Sequence, residues 1–194
     1  MADRARNPTT REVSSLATDG DLLKAIVAKD RLAFERLYRR YGRRLRGYLL
    51  RWIRQPEVVE EVLNDVFFAV WTQAPRFEGR SRVSTWIFGI AYRQAMKAVD
   101  RGRRHANEVS SDELDHPEPA TVAPAPELRW SLEKVLEGLT PEHRTVVELT
   151  YFEDRTYPEI AEIVEVPVNT VKTRMFHARR RLRQLLPQWG FEGV

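Results

Sequence analysis

Residues 156–186, TYPEIAEIVEVPVNTVKTRMFHARRRLRQLL, constrain the fold more than any other stretch of the chain. They read as two helices with a break between them. Thr156 is placed to cap the first, and Glu159, three residues on, completes a capping box. Tyr157 and Pro158 take the opening positions, where a missing N–H is tolerated. Ile160, Ala161, Ile163 and Val164 give this helix an apolar side. Glu165-Val166-Pro167 interrupts the pattern, because the residue before a proline is pushed out of helical geometry. In the second helix Val171, Met175, Ala178, Leu182 and Leu185 form one stripe at helical spacing. Asn169, Lys172, Thr173, Phe176, His177 and Arg180 then project from the other sides. Such a face suits a DNA major groove, where Arg, Lys, Asn and Thr reach base edges and phosphates and Phe touches thymine methyls. A plain helical hairpin with a solvated basic face is the alternative that spacing leaves open.

No segment of the chain has strand periodicity, so the expected fold is all-α. It divides into two small helical domains joined by an acidic, proline-rich linker, with the helix-turn-helix in the second. Residues 1–20 are polar and read as a disordered tail. Residues 21–105 form the first domain, 106–127 the linker, 128–187 the second domain and 188–194 a short C-terminal tail. The linker holds Pro117, Pro119, Pro124 and Pro126 with acidic residues and no Lys or Arg, a composition that stays extended when free.

Charge is distributed unevenly around a net value of only +4. The first domain carries 19 Lys/Arg against 9 Asp/Glu, whereas residues 128–186 carry 10 against 9. The basic block is the footprint of a polyanion partner, most often nucleic acid. Within it Leu22, Leu23, Ile26 and Val27 form a short apolar face. Phe34, Leu37, Tyr38, Tyr41, Leu45, Tyr48, Leu49 and Trp52 form a longer one. Arg36, Arg39, Arg40, Arg43, Arg44, Arg46 and Arg51 lie opposite, as a solvated face or a polyanion contact.

A second helix follows Pro56, with Val59, Val62, Leu63, Val66 and Val70 facing the core. Phe68 falls on its opposite side among Glu61, Asn64, Asp65 and Thr72. A large apolar ring in acidic and amide surroundings points to a protein interface with a basic partner. Beyond Pro75, a polar segment leads into a helix that Ser84 is placed to cap. Trp86, Ile87, Ile90, Ala91 and Met96 supply its apolar side, with Arg93, Lys97, Arg101, Arg103 and Arg104 along it. Aromatic residues interleaved with cations suit unpaired DNA, whose bases stack on rings while phosphates meet Arg and Lys. Phe77 and Trp86 are the candidates for that stacking, and core packing is the competing role for Trp86.

Several chemistries lack their residues. There is no cysteine, hence no disulfide and no thiolate zinc site, which suits a reducing compartment. No apolar run is long enough to span a membrane, and the N-terminus shows no signal-peptide core; a soluble cytoplasmic protein is expected. No phosphate-binding glycine loop, HExxH or metal-spaced carboxylate set occurs, so neither a catalytic residue, a metal nor a cofactor is assigned. His105, His116, His143 and His177 are isolated in sequence.

The order of motifs resembles a known family. Asp65-x-Phe67-Phe68-x-x-Trp71 is followed by Arg76-Phe77-x-Gly79 and Thr85-Trp86-Ile87-x-x-Ile90-Ala91. After the linker come L-x-x-L-T-P-E-H-R-x-V at 136–146, I-A-E-I at 160–163 and P-V-x-T-V-K-T-R at 167–174. This is similar to the bacterial extracytoplasmic-function sigma factors, the two-domain minimal sigma type, over residues 21–186. The resemblance implies that the helix of Phe68 binds the clamp helices of the RNA polymerase beta-prime subunit, through Glu61, Asn64, Asp65, Phe68 and Trp71. It implies that Phe77, Arg80, Arg82, Trp86, Arg93 and Lys97 contact the melted minus-ten element, with Arg93 standing where many relatives carry Asn. It implies that Asn169, Thr170, Lys172, Thr173, Phe176, His177 and Arg180 read the minus-thirty-five duplex, with His177 where relatives often carry Arg. The linker would follow the polymerase's RNA path, and an anti-sigma protein would cover Phe68 and the reading helix. A sigma-like decoy that binds an anti-sigma protein without DNA is the alternative. A nucleic-acid-processing enzyme and a simple dimeric repressor account for fewer of these features.

Overall fold

Capping chemistry sets where the helices begin. Thr18 accepts the Asp21 N–H while the Asp21 carboxylate accepts the Thr18 N–H, so helix α1 (Asp19–Val27) opens on a capping box. The chain turns through Lys29 at φ 66°, and Asp30 accepts the Leu32 and Ala33 N–H groups to start α2 (Arg31–Leu50). Pro56 opens α3 (Pro56–Gln73), a 3-10 turn (Ala74–Arg76) follows, and α4 (Val83–Val109) completes the N-terminal half. The C-terminal half holds α5 (Pro126–Glu137), α6 (Pro141–Tyr151), α7 (Tyr157–Val164), α8 (Val168–Leu185) and a 3-10 turn (Leu186–Trp189). The computed structural model describes residues 17–109 and 126–189, and every regular element among them is a helix. The fold is all-α with two helical domains. Residues 1–16 of the expected N-terminal tail, most of the linker and the end of the C-terminal tail lie outside the described residues, whereas Thr18, Asp19 and Gly20, expected in that tail, cap and open α1.

Thr156 and Glu159 form the capping box at the start of α7. That helix ends on Glu165 in left-handed backbone at φ 55°, with its N–H bonded to the Ala161 carbonyl. Ile160, Ala161, Ile163 and Val164 are all buried, as are Val171, Met175, Ala178 and Leu185 of α8.

Three local expectations differ from the structure. The Arg82 carbonyl accepts the Trp86 N–H, so α4 begins before Ser84. Ser84 therefore lies inside the first turn, where its hydroxyl accepts from Arg155 Nη1 at 3.0 Å instead of capping. Val27 ends α1 and is exposed, because the turn at Lys29 carries the chain off the core. Tyr38 is also exposed at its edge, with its ring tilted on Phe67 at 4.4 Å.

Helix α4 is central to the packing. It lies against α3 on one side and α7 on the other, and a single hydrophobic core runs from Leu22 and Leu45 through Ile87 and Phe88 to Ile160 and Val171. At Gly89 the backbones of α4 and α7 are neighbours, and a methyl group there would make ordinary contact, 3.9 Å from the Ile163 Cα and carbonyl oxygen. The charged residues Glu148, Glu153 and Arg155 are buried where the two domains meet.

Candidate nucleic-acid interface

Helix α3 separates core from surface cleanly. Val59, Val62, Leu63, Val66, Phe67 and Val70 are buried, while Phe68 on the far side is 69 % exposed. Glu61, Asn64 and Asp65 surround it and are also exposed, which leaves an apolar ring in an acidic frame. Trp71 differs from these four. It is half-buried, edge-on to Phe34 at 5.3 Å, with Lys29 Nζ 5.1 Å from its ring. Its ring is part of the wall behind the surface rather than a free element of it.

At the turn into α4, the Phe77 and Trp86 rings lie 5.2 Å apart and pack against the core. Both are half-buried, so they form one small aromatic platform and do not stand free in a loop. Gly79 at φ 71° supplies the tight bend beside them. The cations around this platform mostly have carboxylate partners. Arg80 pairs with Glu78 at 2.5 Å, Arg82 with Glu159 at 3.6 Å and Arg93 with Glu165 at 2.6 Å. Lys97 is exposed one turn beyond Arg93. Burial works to raise the Glu159 carboxyl, but hydrogen bonds from the Thr156 N–H and hydroxyl, with the Arg155 and Arg82 charges, outweigh it and hold Glu159 below the usual carboxylate range.

Helix α8 buries one stripe and opens the opposite face. Asn169, Lys172, Thr173, Phe176, His177 and Arg180 are exposed, Thr170 is half-buried, and Phe176 is 64 % open. The Thr173 hydroxyl donates to the Asn169 carbonyl at 3.0 Å. His177 and His143 are stacked with ring centroids 6.0 Å apart, and Phe176 stands edge-on to His177 at 5.4 Å. A concavity of about 380 Å³ beside them is lined by Thr140, His143, His177, Arg180, Arg181 and others. The two histidines are thus not isolated in space. Their 34-residue separation carries no local signal, and only the packing of α6 on α8 brings them together. Burial first, then the nearby His177 and Arg174 charges, lower the His143 pKa, with Glu142 opposing.

Sequence reasoning missed Arg44, Arg51, Arg144, Glu148, Glu153 and Arg155 as a group. Arg44 and Arg51 pair with Glu153 and Glu148 across the two domains at separations no local spacing reveals. Arg144 pairs with Glu148 within α6 and donates to the Arg51 carbonyl, and Arg155 donates to the Ser84 hydroxyl. Among the described residues no group of three or more His, Cys, Asp or Glu is placed to hold a metal ion. No described helix is long and apolar enough to cross a membrane.

An all-helical N-terminal domain with an acidic-framed Phe, coupled to a C-terminal helix-turn-helix with an open basic face, defines a sigma-type transcription protein. Residues 37–105 match the Sigma-70 region 2 family and residues 129–182 match Sigma-70, region 4. RNA polymerase sigma factor CarQ of Myxococcus xanthus is 32% identical over 163 residues, covering 82% of this chain and 92% of the relative. The ECF RNA polymerase sigma-E factor of Haemophilus influenzae is 28% identical over 177 residues, covering 85% and 93%. Among solved structures, CnrH in complex with the cytosolic domain of CnrY superposes with a TM-score of 0.67 at 22% identity, covering 88% of this chain and 97% of that one. The sigma factor RpoE in complex with the anti-sigma factor NepR from Bartonella quintana gives 0.65 at 20% identity, covering 79% and 96%. These two solved structures share the fold. The chain belongs to the extracytoplasmic-function (ECF) sigma factor family. It is an alternative sigma factor, a DNA-binding initiation factor that acts with RNA polymerase at promoters.

Proposed function

We propose that three surfaces of the chain divide the work of promoter-specific initiation. The α3 face of Glu61, Asn64, Asp65 and Phe68, backed by Trp71, docks on the clamp helices of the polymerase beta-prime subunit. The Phe77–Trp86 platform stacks an unpaired base of the minus-ten element, while Arg80, Arg82, Arg93 and Lys97 hold its phosphates. The α8 face of Asn169, Thr170, Lys172, Thr173, Phe176, His177 and Arg180 enters the major groove of the minus-thirty-five duplex. Residues 21–105 and 128–187 carry these two readings, and residues 106–127 connect them along the polymerase. The protein works in the cytoplasm, without a cofactor, and the polymerase supplies the chemistry.

The observation that carries this reading is the asymmetry of α8. Its apolar stripe is buried in the domain, and every side chain of the proposed reading set except Thr170 is exposed. A helix about 10–12 Å across fits a major groove about 12 Å wide. An anti-sigma protein is the further partner expected, since Phe68 and α8 are two open surfaces for one inhibitor to cover. Mixing the purified chain with core polymerase and a promoter library should give run-off transcripts from a discrete subset of templates. No transcript from any template, with the core polymerase shown active, refutes the reading.

A further inference from the structure

Between the start of α6 and the C-terminal half of α8, nitrogen donors gather without a carboxylate among them. His143 of α6 stacks on His177 of α8 at 6.0 Å. The concavity of about 380 Å³ beside them is lined by these two imidazoles, Thr140, Arg180, Arg181 and two uncharged residues. Among the described residues Arg180 makes no ion pair and neither imidazole has a hydrogen-bond partner. Arg181 Nη1 donates to Gln184 Oε1 at 3.3 Å. Helix α5 also packs on α8, but Glu137 at its end is taken by Arg54 and Lys134.

The charges that act on His143 come from both helices. Burial comes first and the His177 ring second in lowering its pKa, Glu142 opposes them, and Arg174 adds to them. Arg180 and Arg181 extend the cationic side of the concavity along α8. Glu142 is itself held below the usual carboxylate range by its own backbone N–H and the Thr140 hydroxyl, so it is already ionised at neutral pH. The free chain therefore keeps His143 uncharged near neutrality. An anion in the concavity reverses that balance, because an opposite charge within a few ångströms favours the imidazolium. Anion and proton then favour each other's binding by the same factor. Arginine in the same place would stay charged throughout, whereas an imidazole changes its charge close to neutral pH.

A helix seated in the major groove has sugar–phosphate backbone on both sides of it. His177 and Arg180 stand one turn apart on the exposed face of α8, and α6 brings His143 to their side. Two ring N–H groups and a guanidinium fork match the oxygens of one phosphodiester. We propose that His143, His177 and Arg180 form a phosphate clamp at the edge of the reading helix, one that takes a duplex phosphate together with a proton, so that minus-thirty-five binding strengthens as pH falls through neutrality. This rests on the promoter-reading function above and adds to it a residue outside the reading helix, His143, and a dependence on pH.

A phosphate contact is independent of sequence, so the full-length chain is titrated by anisotropy against a labelled random-sequence duplex at constant ionic strength, from about pH 7.5 to about pH 6. Wild-type affinity should rise about three- to tenfold over that span. The slope of log affinity against log salt should steepen by about 1 at the acid end. The double variant His143→Gln/His177→Gln should lose the response, leaving only what His105, His116 and the rest of the chain contribute. His143→Gln alone should lose most of it. His177→Arg, at an exposed position that spares the packing, should bind at about pH 7.5 as tightly as wild type does at about pH 6. In parallel, NMR follows the His143 ring protons with inorganic phosphate alone and with the duplex. Each should raise the titration midpoint, and by less in Arg180→Gln. An equal pH response in wild type and the double variant, or a weak His177→Arg at the alkaline end, overturns the proposal. So does a full response in His143→Gln, which would leave His177 acting alone. A midpoint moved by inorganic phosphate and not by the duplex overturns DNA as the source of the phosphate. No duplex binding at any pH refutes promoter reading instead, and the inorganic-phosphate titration still decides whether the clamp exists.

Discussion

Replacing Phe68 by Ala separates folding from polymerase binding more sharply than any other single change. A Phe side chain encloses about 150–250 Å² when fully buried. With Phe68 69 % exposed, about 140 Å² of it remains to be covered by a partner. At about 25 cal/mol/Å² that area is worth up to about 3.5 kcal/mol, and an interface hot spot realises about 2 kcal/mol or more of it. The expected loss in core-polymerase affinity is therefore about 30-fold. Stability should barely move. The small packed part of the ring is offset by the better helix propensity of Ala, about 0.5 kcal/mol, so the melting temperature should stay within about 2 °C. Fluorescence anisotropy of labelled protein against core polymerase measures the first quantity, and a circular-dichroism melt the second. Binding to an isolated minus-thirty-five duplex should be unchanged. An affinity change under about threefold with an intact melt would refute the assignment of this ring to the polymerase surface.

Three further outcomes follow from the geometry. Lys172→Ala, at an exposed position on α8, should reduce the slope of log affinity against log salt for the minus-thirty-five duplex by about 1, measured by titration across a salt series. Thr156→Ala removes the side-chain half of the α7 capping box, the hydroxyl that accepts the Glu159 N–H, and should destabilise by about 1 kcal/mol, a fall of about 2–4 °C in the melt. The folded pKa of His143 lies below its unfolded value, so its share of stability is whole above about pH 6.5 and is lost as pH falls through the lower folded value. Ring-proton titration by NMR should show that depressed pKa, and His177→Asn should move it back toward the ordinary value.

Local chemistry explains why some of the fold was legible. The α7 capping box lies within four residues and the α8 stripe within fifteen, so periodicity and spacing alone located them. Phe68 was equally readable, because α3 is long enough for its wheel to place that ring opposite five buried positions. The turn at Lys29 and the first turn of α4 were harder, since each depends on a neighbouring element for its exact boundary. Ser84 is a case in point: it has the chemistry of a cap, but its hydroxyl is held by Arg155 from 71 residues away. The His143–His177 stack and the Arg–Glu network are non-local in the same way. Composition registered Arg44 and Arg51 as members of a basic block, and only the fold shows that their partners are Glu148 and Glu153.

That pairing also changes what a basic block means in this chain. A surplus of arginine ordinarily indicates a polyanion partner, yet several of these residues are neutralised inside the protein. Exposed pairs such as Arg93–Glu165 contribute about 0–1 kcal/mol each. Buried pairs behave differently. Removing one partner of a shielded pair while the domains stay closed costs about 3–5 kcal/mol, whereas parting the domains rehydrates both charges and recovers much of the desolvation penalty. The network around Glu153 therefore favours a specific closed geometry without making that geometry irreversible. Arginine suits the role because one planar guanidinium bonds a carboxylate and stacks on a ring together, as Arg51 does with Glu153 and, at 4.9 Å, with Phe152. The same fork is matched to phosphate, so the geometry that lets Arg51 hold Glu153 here is also the geometry by which a guanidinium holds a phosphate.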